Sequence, residues 1–540
     1  MYNTYMVSYL RNNLPFIFLT VGVMAYILFF SLFSILRYEK FYAHYFDLGI
    51  MHQTVYNSYQ GIKTGDLSRI LEHTDPQSGT EQVKRMAVHN DIFLVFFAPF
   101  YFIHDGPATL LVMQSIVVGL GAYFVFLIAQ LVFRKIKYAH VLALLLAYGY
   151  LLYPPLEKAN NFDFHAVTLA TTFLLAMYYF WLKKQLIVSL VFAVISMLTK
   201  EQVGLTVAFF GVYTFYHASH FSFPLTRLIK KYIFHRSAFQ NGIAFLYKKE
   251  HRFGIILIIS GIFWVLFSLN VIIPYFRGGE HFGSKYFSYL KDTPWKIVPI
   301  VFRLESARYV SLLLIPVGLV SLFAPLPLMI ATPEIAMNLL SINSNMRNIY
   351  FHYDSVITPF VFISAIYGVR FLLTSKFEKT RTFIKMMTNR FGLSKNKMKY
   401  TSLITQNPER SLIVFLATAI AASSLYMSPL PWGHHRDIFP WQAYPEKYAD
   451  VQLWKLFLKD DSVKVSATGH LAPHFASRRY FYNFAEGYNK ADYVVIDRFE
   501  INRGFQTELK YDEYQHILRD FRFVKIYDVH GIEVFKRLLF

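Results

Sequence analysis

Residues 14–36 read LPFIFLTVGVMAYILFFSLFSIL, a stretch without a single charged side chain. Because a helix rises about 1.5 Å per residue, a stretch of this length spans the hydrocarbon core of a bilayer, which is about 30 Å thick. The stretch is too long for the apolar part of a secretory signal, and it lacks a small-residue cleavage site. It therefore predicts a transmembrane helix that stays in the mature chain.

Ten further apolar stretches follow, and several are short enough to need flanking residues to cross a bilayer. They lie at 107–133, 139–153, 166–182, 186–198, 202–217, 254–275, 309–323, 325–341, 355–374 and 411–428. The run IFLVFFAPFYFI at 92–103 covers only about 18 Å as a helix and contains Pro99. We expect this run to form a re-entrant or membrane-lying helix. The predicted fold class is mainly α, a polytopic transmembrane helical bundle of about eleven spans.

The composition agrees with this class. The chain has 540 residues, of which 55% are hydrophobic and 16% are charged, and it contains no cysteine. Its mean hydropathy is +0.33, whereas an average soluble protein is about 25% charged. These values exclude a disordered chain, a soluble nucleic-acid-binding enzyme and a secreted domain held by disulfides.

The distribution of charge predicts the orientation of the bundle. The formal net charge is +20. If the N-terminus is cytoplasmic and 92–103 does not cross, the inner segments carry 22 Lys and Arg against three acids, and the outer loops are neutral. Those inner segments are 1–13, 134–138, 183–185, 218–253 and 375–410. Because Lys and Arg favour the cytoplasmic side, this arrangement is preferred, and the charge indicates lipid rather than nucleic acid.

The part of the chain after the last predicted span has a different pattern. Its alternating apolar residues predict strands at 462–467, 492–497, 523–529 and 532–537, with a helix at 447–458. An odd number of spans places this part outside the cell.

Two units are therefore expected. Residues 1–428 form the transmembrane module, which includes a first outer loop at 37–106 with membrane-lying helices. Residues 429–540 form a small extracytoplasmic α/β domain that is large enough for its own core. Its first residues, 429–446, are rich in Trp and Pro and read as a linker along the membrane surface.

The first outer loop contains HYFDLGIMHQTVYNSYQG at 44–61. Apolar residues recur at helical spacing after Asp47, and Gly61 can end that helix. Asp47 is then either the N-cap of a membrane-lying amphipathic helix or a carboxylate at the bilayer rim that acts as a general base. The two roles are compatible, because a capping side chain is fixed in place.

Four further polar groups fall on the same predicted outer side, which suggests a polar cavity at the outer leaflet. Each group is either structural, as a cap, an ion pair or a surface residue, or a ligand for a metal, a phosphate or another anion. Lys200 can bind a lipid-linked phosphate as a point charge. Glu334 within a span needs a partner, for which Arg303 and Arg308 are candidates. The candidate substrate-binding residues are His89, Asp91, Asp163, His165, Lys200, Glu201, Arg303, Arg308, Glu334 and His352.

Several of these segments together resemble one family. They are FDLGIMHQTVYNSYQG (46–61), HNDIFLVFFAPFYFI (89–103), LAYGYLLYPPLEKANNFDFHAVTLA (146–170), LTKEQVGL (198–205) and PEIAMNLLS (333–341). The family is that of the polytopic membrane proteins known as domain-of-unknown-function family 2079. The resemblance runs through most of 40–370, and SVKVSATGHLAPHFASRRYFYNF with ADYVVID looks like the outer domain of that family.

That family in turn resembles the GT-C superfamily of membrane glycosyltransferases. The resemblance implies an enzyme of the prokaryotic cytoplasmic membrane that takes a sugar from a polyprenyl-phosphate donor and transfers it with inversion. It places Asp47 at the position of the catalytic acidic residue. The acceptor stays open as a lipid, a glycan or a protein outside the cell. A divalent metal cofactor also stays open, since the sequence does not require one.

Two other classes of protein fit the same residues. A lipid or solute transporter or flippase also needs buried charges, but it predicts paired inverted repeats, which the sequence does not show. A non-catalytic assembly protein of the cell envelope would use 429–540 to bind a partner. Release of polyprenyl phosphate distinguishes the enzyme from a transporter, and pull-down with the outer domain distinguishes it from an assembly protein.

Overall fold

Apolar helices make up most of the chain. The computed structural model describes residues 2–75, 82–218, 248–374 and 407–538. Within these residues, the helices long and apolar enough to cross a membrane are Asn13–Glu39, Pro107–Val132, Ala139–Phe162, Lys249–Arg277 and Pro408–Met427. Shorter apolar helices are Ile92–Phe102, Ala166–Leu182, Leu186–Met197, Val203–Ala218 and Thr358–Leu373. The mainly α class is confirmed. The span count stays a prediction, and most of the expected inner loops 218–253 and 375–410 lies outside the described residues.

One large apolar cluster joins these helices. Phe33, Val125, Leu146, Leu174 and Phe360 come from five different helices, and each is fully buried in the cluster. In a membrane, helices associate through close packing rather than through exclusion of water. The cluster therefore fixes the relative positions of the helices from which the outer loops emerge.

The helices Val203–Ala218 and Lys249–Phe267 pack closely against each other. Each carries two glycines seven residues apart, at 204 and 211 and at 254 and 261. A Cβ atom on Gly261 would lie 2.3 Å from the carbonyl oxygen of Gly204, and one on Gly211 would lie 2.6 Å from that of Gly254. Only glycine permits this approach, which is a known device for packing membrane helices.

The two predicted spans at 309–323 and 325–341 are wrong as continuous helices. The structure has helices at Leu304–Leu314, Pro325–Leu328 and Thr332–Leu340, with 3-10 turns at Ile315–Val317, Val320–Phe323 and Met329–Ala331. Pro316 interrupts the backbone hydrogen bonding, and Gly318 and Leu319 have φ of +65° and +57°. Hydropathy alone does not register such breaks.

The predicted loop at 154–165 also needs correction. Residues 154–165, expected to be a loop, begin with a helix at Pro154–Phe162, which continues the direction of Ala139–Leu151. Only 163–165 then connect it to the next helix. The run at 92–103 forms a 3-10 helix, Ile92–Phe102, that packs on Ile50–Thr64 of the first outer loop.

The first outer loop contains one long helix and a small hairpin. A π-helical turn at Tyr45–Gly49 leads into the helix Ile50–Thr64. The helix ends at Gly65 with φ +78°, so the expected end at Gly61 is wrong. Strands Glu72–Thr74 and Gln82–Lys84 pair antiparallel, and 3-10 turns lie at Leu67–Arg69 and Arg85–Ala87.

Between Arg277 and Thr358 the chain runs through short helical pieces besides those already given. They are Phe282–Tyr286, Tyr289–Asp292, Pro294–Lys296, Ile297–Val301, Ser344–Arg347 and His352–Asp354.

The C-terminal part forms a mixed five-stranded sheet. Its strands are β1 (Val465–Ala467), β2 (Phe481–Asn483), β3 (Tyr493–Asp497), β4 (Phe523–Val529) and β5 (Ile532–Arg537). The spatial order is β2-β1-β3-β5-β4, in which β1 is parallel to both neighbours and β5 is antiparallel to both. The longer helices are Lys447–Phe457 and Thr507–Arg519. The three-residue strand β2 was not predicted.

The sheet shares a core with the first outer loop. One apolar cluster combines Phe41, Tyr45 and Ile50 with residues such as Val465 and Leu471. The backbone N–H of Tyr45 also donates to the carbonyl of Gly469 at 2.9 Å. The C-terminal part was expected to have a core of its own. In the structure, part of its core is shared with the turn that carries Asp47.

Candidate functional site

Asp47 lies inside the π-helical turn Tyr45–Gly49 rather than at a helix cap. The cap of this turn is His44, whose Nδ1 accepts from the backbone N–H of Phe46 at 3.3 Å. The Tyr45 hydroxyl donates to Oε1 of Gln53 at 3.3 Å, which anchors the turn from the other side. The Asp47 side chain is consequently directed away from the helix terminus, and its carboxylate is available to other groups.

Two residues from the connection at 163–165 meet this turn. Oδ1 of Asp47 lies 3.0 Å from Nε2 of His165. Oδ2 of Asp163 accepts from the backbone N–H of His44 at 3.2 Å. The backbone N–H of His165 donates to Oε1 of Gln114 at 2.9 Å, which holds the connection in place. Asp47, Asp163 and His165 thus form one group, in which Asp163 and His165 are buried and the Asp47 side chain is 27% exposed.

The pKa values of the two carboxyl groups shift in opposite directions. Burial would raise the pKa of Asp47, but the hydrogen bond and charge of His165 hold that pKa below its ordinary value. Burial and the charge of Asp47 raise the pKa of Asp163 well above its ordinary value. Because like charges at close range oppose each other's ionisation, the pair favours the ionised form of Asp47 and the neutral form of Asp163.

A third histidine completes this part of the site. The rings of His165 and His352 stack with centroids 3.7 Å apart, and His352 is buried. Burial, followed by the charge of His165, lowers the pKa of His352 well below its ordinary value. His352 therefore supplies a neutral aromatic face against which the His165 ring is oriented.

A cavity of about 1550 Å³ opens in front of this group. A cavity of this size exceeds an ordinary small-molecule pocket, which has a volume of about 300–1,000 Å³. The sequence-predicted site residues that line it are Asp47, His89, Asp91, His165, Lys200, Glu201 and His352. Five segments that are far apart in the chain thus converge on one space.

The remaining predicted residues do not line the cavity. Asp163 lies behind Asp47, and Glu334 is buried behind the wall formed by its neighbour Pro333. Arg303 is occupied by the carbonyl of Leu339 at 3.3 Å and by Glu305 at 3.7 Å, and Arg308 is exposed. The structure does not bring these two arginines to the other site residues.

The expected partner of Glu334 is therefore wrong. Gln202 hydrogen-bonds to its carboxyl, and the nearby charge that attracts it belongs to Lys200. The turn at 199–202 lies against the helix Thr332–Leu340, whereas Arg303 lies before the broken segment. Residues 309–331 do not form a continuous helix. Positions along the sequence therefore did not indicate which cation lies near Glu334.

Some residues of the site were not predicted from the sequence. Arg85 holds Asp91 through two parallel hydrogen bonds, from Nε at 2.9 Å and from Nη2 at 2.9 Å, and both side chains are buried. His281 and Lys285 reach the cavity from a segment without any regular apolar pattern. The spacing of Arg85 and Asp91 was visible in the sequence, but it had no distinguishing signal among other charged residues.

The described residues contain two groups able to hold a metal ion. One is His44, His470 and Glu500, and the other is His89, Glu201 and His281. In the first group the backbone N–H of His470 donates to Glu500 at 3.1 Å, and Lys510 lies 3.6 Å from the same carboxylate. The second group lies entirely on the cavity wall.

Several apolar membrane-length helices, with a large cavity lined by residues from the loops that connect them, define a polytopic membrane protein. The family described as "Predicted membrane protein (DUF2079)" matches residues 37–520, and the chain belongs to that family.

Solved structures of the oligosaccharyltransferase of Archaeoglobus fulgidus match the chain at low similarity. The structure tethered with an acceptor peptide matches with a TM-score of 0.39 and 11% identity, over 92% of this chain and 70% of that chain. The complex with an inhibitory peptide and a dolichol-phosphate matches with a TM-score of 0.36 and 12% identity, over 96% and 74% of the two chains. No curated protein matches the chain.

Proposed function

We propose that the chain is a membrane glycosyltransferase of the GT-C type. It takes a sugar from a polyprenyl-phosphate donor and transfers it, with inversion, to an acceptor hydroxyl outside the cytoplasmic membrane. The observation that carries the proposal is the carboxylate of Asp47, which lies 3.0 Å from Nε2 of His165 on the wall of a large cavity that Lys200 also lines. The sequence resemblance of the motifs around these residues to that superfamily supports the same reaction.

Asp47 is the general base in this proposal. Its carboxylate accepts the proton of the acceptor hydroxyl while the hydroxyl oxygen bonds to the anomeric carbon. The bond between that carbon and the phosphate oxygen breaks, and polyprenyl phosphate leaves from the opposite face, which inverts the configuration. A base must lie within hydrogen-bond reach of the proton it removes, and the fixed turn at 45–49 provides a fixed position for it.

Lys200 has the complementary task. It lines the same cavity, and no carboxylate of the described chain forms an ion pair with its ammonium group. A cation at this position neutralises the charge that develops on the departing phosphate. Such an interaction is strongest where water is excluded, because the effective dielectric is low there.

The decisive test replaces Asp47 by Asn, with Asp66→Asn as the matched control. Asp66 lies on the same outer loop, but it is exposed and caps a short turn away from the cavity. Protein purified in mild detergent is incubated with native membranes, and bound lipid-linked sugar and released polyprenyl phosphate are measured by native mass spectrometry. We expect Asp47→Asn to retain the lipid-linked sugar and to release at least about 100-fold less polyprenyl phosphate.

Two results contradict the proposal. Full release of polyprenyl phosphate by Asp47→Asn removes Asp47 as the base. Absence of any polyprenyl-linked sugar from the unmodified protein, even after incubation with native membranes, removes the donor class and favours a transporter or an assembly protein.

A further inference from the structure

The cavity that Asp47 lines also carries two imidazoles and a carboxylate from three separate segments. His89 lies before the helix Ile92–Phe102, Glu201 lies in the turn before Val203–Ala218, and His281 begins the segment after the helix that ends at Arg277. Each contributes one ligand atom, and these atoms lie within 4.8 Å of one another. All three side chains line the cavity.

The two imidazoles converge on a single oxygen. Oε1 of Glu201 lies 2.8 Å from Nδ1 of His89 and 3.6 Å from Nε2 of His281. The second oxygen, Oε2, accepts from the backbone N–H of Asn90 at 3.0 Å. The side-chain amide of Asn90 donates to Ser268 Oγ at 2.7 Å, which holds Asn90 in place. The carboxylate is thus oriented by an outer layer of hydrogen bonds, as is usual for ligands of a metal.

These separations suit a metal ion. Nitrogen and oxygen ligands at about 2.1 Å from a tetrahedral ion lie about 3.4 Å apart. Two histidines and one glutamate are also the ligand set of catalytic zinc sites, which keep a fourth position open. Imidazole ligands favour Zn²⁺ and its first-row neighbours over Mg²⁺, which prefers oxygen.

A metal ion would take the place of the imidazole hydrogens that now point from His89 and His281 toward Glu201. A carboxylate only accepts hydrogen bonds, so Nδ1 of His89 carries the hydrogen in its contact with Glu201. Nδ1 of His281 accepts from the backbone N–H of Gly283 at 3.1 Å, which leaves the hydrogen on Nε2. On metal binding each ring moves its hydrogen to the other nitrogen, and the Gly283 hydrogen bond opens.

The surrounding charge indicates what occupies the open position. Lys200 precedes Glu201 directly and acts electrostatically on His89, Glu201 and His281 alike. A divalent ion with one carboxylate ligand carries a surplus of one positive charge, and Lys200 adds a second. An anionic ligand on the cavity side balances this surplus, and phosphate is the anion that both a cation and a lysine bind well.

We propose that His89, Glu201 and His281 bind a divalent first-row transition metal, with Zn²⁺ preferred over Mg²⁺, whose open position faces the cavity and takes a phosphate oxygen beside Lys200. The metal assignment rests on the ligand geometry alone. The assignment of the phosphate as that of a sugar donor rests on the proposed function.

The first experiment measures metal content in the full chain. Protein in mild detergent is stripped with a chelator, dialysed against Zn²⁺, washed and analysed by mass spectrometry of the elements. We expect one Zn²⁺ per chain, and no retention of Mg²⁺ under the same conditions. His281→Ala and Glu201→Gln should each weaken Zn²⁺ binding more than about 100-fold, since even loss of an outer hydrogen-bonding partner weakens metal sites 10–100-fold. Thermal unfolding of both variants shows that they are folded.

His470→Ala is the matched control, because it removes a histidine from the other group of potential ligands. It should keep its Zn²⁺. Loss of Zn²⁺ in His470→Ala but not in His281→Ala overturns the assignment, and so does an unmodified chain that retains no Zn²⁺.

The second experiment tests the open position by replacing Zn²⁺ with Co²⁺, whose visible spectrum reports its ligands. Addition of inorganic phosphate or geranyl phosphate should change the spectrum, and Lys200→Ala should keep Co²⁺ but weaken the response at least about 10-fold. A larger response to geranyl phosphate identifies a lipid-linked source, and an equal response identifies free phosphate. A spectrum that responds to neither overturns the phosphate position.

Failure of this inference differs from failure of the proposed function. If the chain binds no metal but still transfers sugar, the metal assignment is wrong and Asp47 remains the proposed base. A chain that binds one Zn²⁺ through His89, Glu201 and His281 but releases no polyprenyl phosphate keeps the metal site and removes the transferase.

Discussion

Oδ1 of Asp47 lies 3.0 Å from Nε2 of His165, although 118 residues separate the two in the chain. The contact joins the first outer loop to the short connection between two apolar helices. It gives Asp47 an ionised carboxylate on the cavity wall, and it has a consequence for pH dependence.

Replacement of His165 by Gln should move the acidic limb of the activity profile to higher pH. The hydrogen bond and charge of His165 lower the pKa of Asp47, so their loss raises it. A base acts in its ionised form, which then disappears at a higher pH. The measurement is sugar transfer between pH 4 and 8, with His104→Gln outside the cavity as control. An unmoved limb would show that Asp47 does not titrate in the reaction.

Replacement of Asp163 by Asn should change sugar transfer and thermal stability very little. Burial and the charge of Asp47 raise the pKa of Asp163, which favours its neutral form, and the Asn amide is a neutral group of similar shape. Asn keeps an oxygen that can accept from the backbone N–H of His44. Ala removes that acceptor and should lower the free energy of unfolding by about 1–3 kcal/mol, because a buried N–H is left without a partner. Thermal unfolding in detergent and sugar transfer are measured for both. An Asn variant as inactive as Asp47→Asn would show that Asp163 reacts in its ionised form.

Replacement of Gly261 by Ala should loosen the transmembrane module. Its new Cβ would lie 2.3 Å from the backbone oxygen of Gly204, and backbone cannot rotate away as a side chain can. We expect a loss of about 1–3 kcal/mol in the free energy of unfolding. Gly279→Ala is the control, because no atom lies within 4 Å of its new Cβ. Equal unfolding temperatures for the two variants would refute the close contact of the helices Val203–Ala218 and Lys249–Phe267.

Replacement of Arg37 by Ala should strongly destabilise the junction of the first long helix and the segment that follows the last one. Nη1 of Arg37 lies 2.6 Å from Oδ2 of Asp437, and both side chains are more than nine-tenths buried. Removal of one partner leaves a buried charge, which costs roughly 3–5 kcal/mol. Lys184→Ala breaks the exposed pair with Glu250 and should change the stability by no more than about 0.5 kcal/mol. The comparison of the two variants by thermal unfolding tests this difference, and similar effects would contradict it.

The sequence predicted the candidate site better than it predicted the helices around it. Asp47, His89, His165, Lys200 and Glu201 were selected as polar or ionisable residues on the predicted outer side, where the charges of Lys200 and Glu201 at the membrane boundary are also costly. That criterion is local, and the structure places all five on one cavity. The same criterion selected Arg303 and Arg308, which lie elsewhere, because exposed cations at a boundary are also common.

The amino-acid sequence by itself determined the apolar helices, the strands Phe523–Val529 and Ile532–Arg537, and the family of the chain. These features follow from hydropathy, alternation and motifs, which are properties of neighbouring residues. Only the tertiary structure decided that His281 joins His89 and Glu201, and that the sheet shares its core with the turn that carries Asp47. Such contacts depend on how helices broken by proline and glycine pack together, and the spacing of residues along the chain does not contain that information.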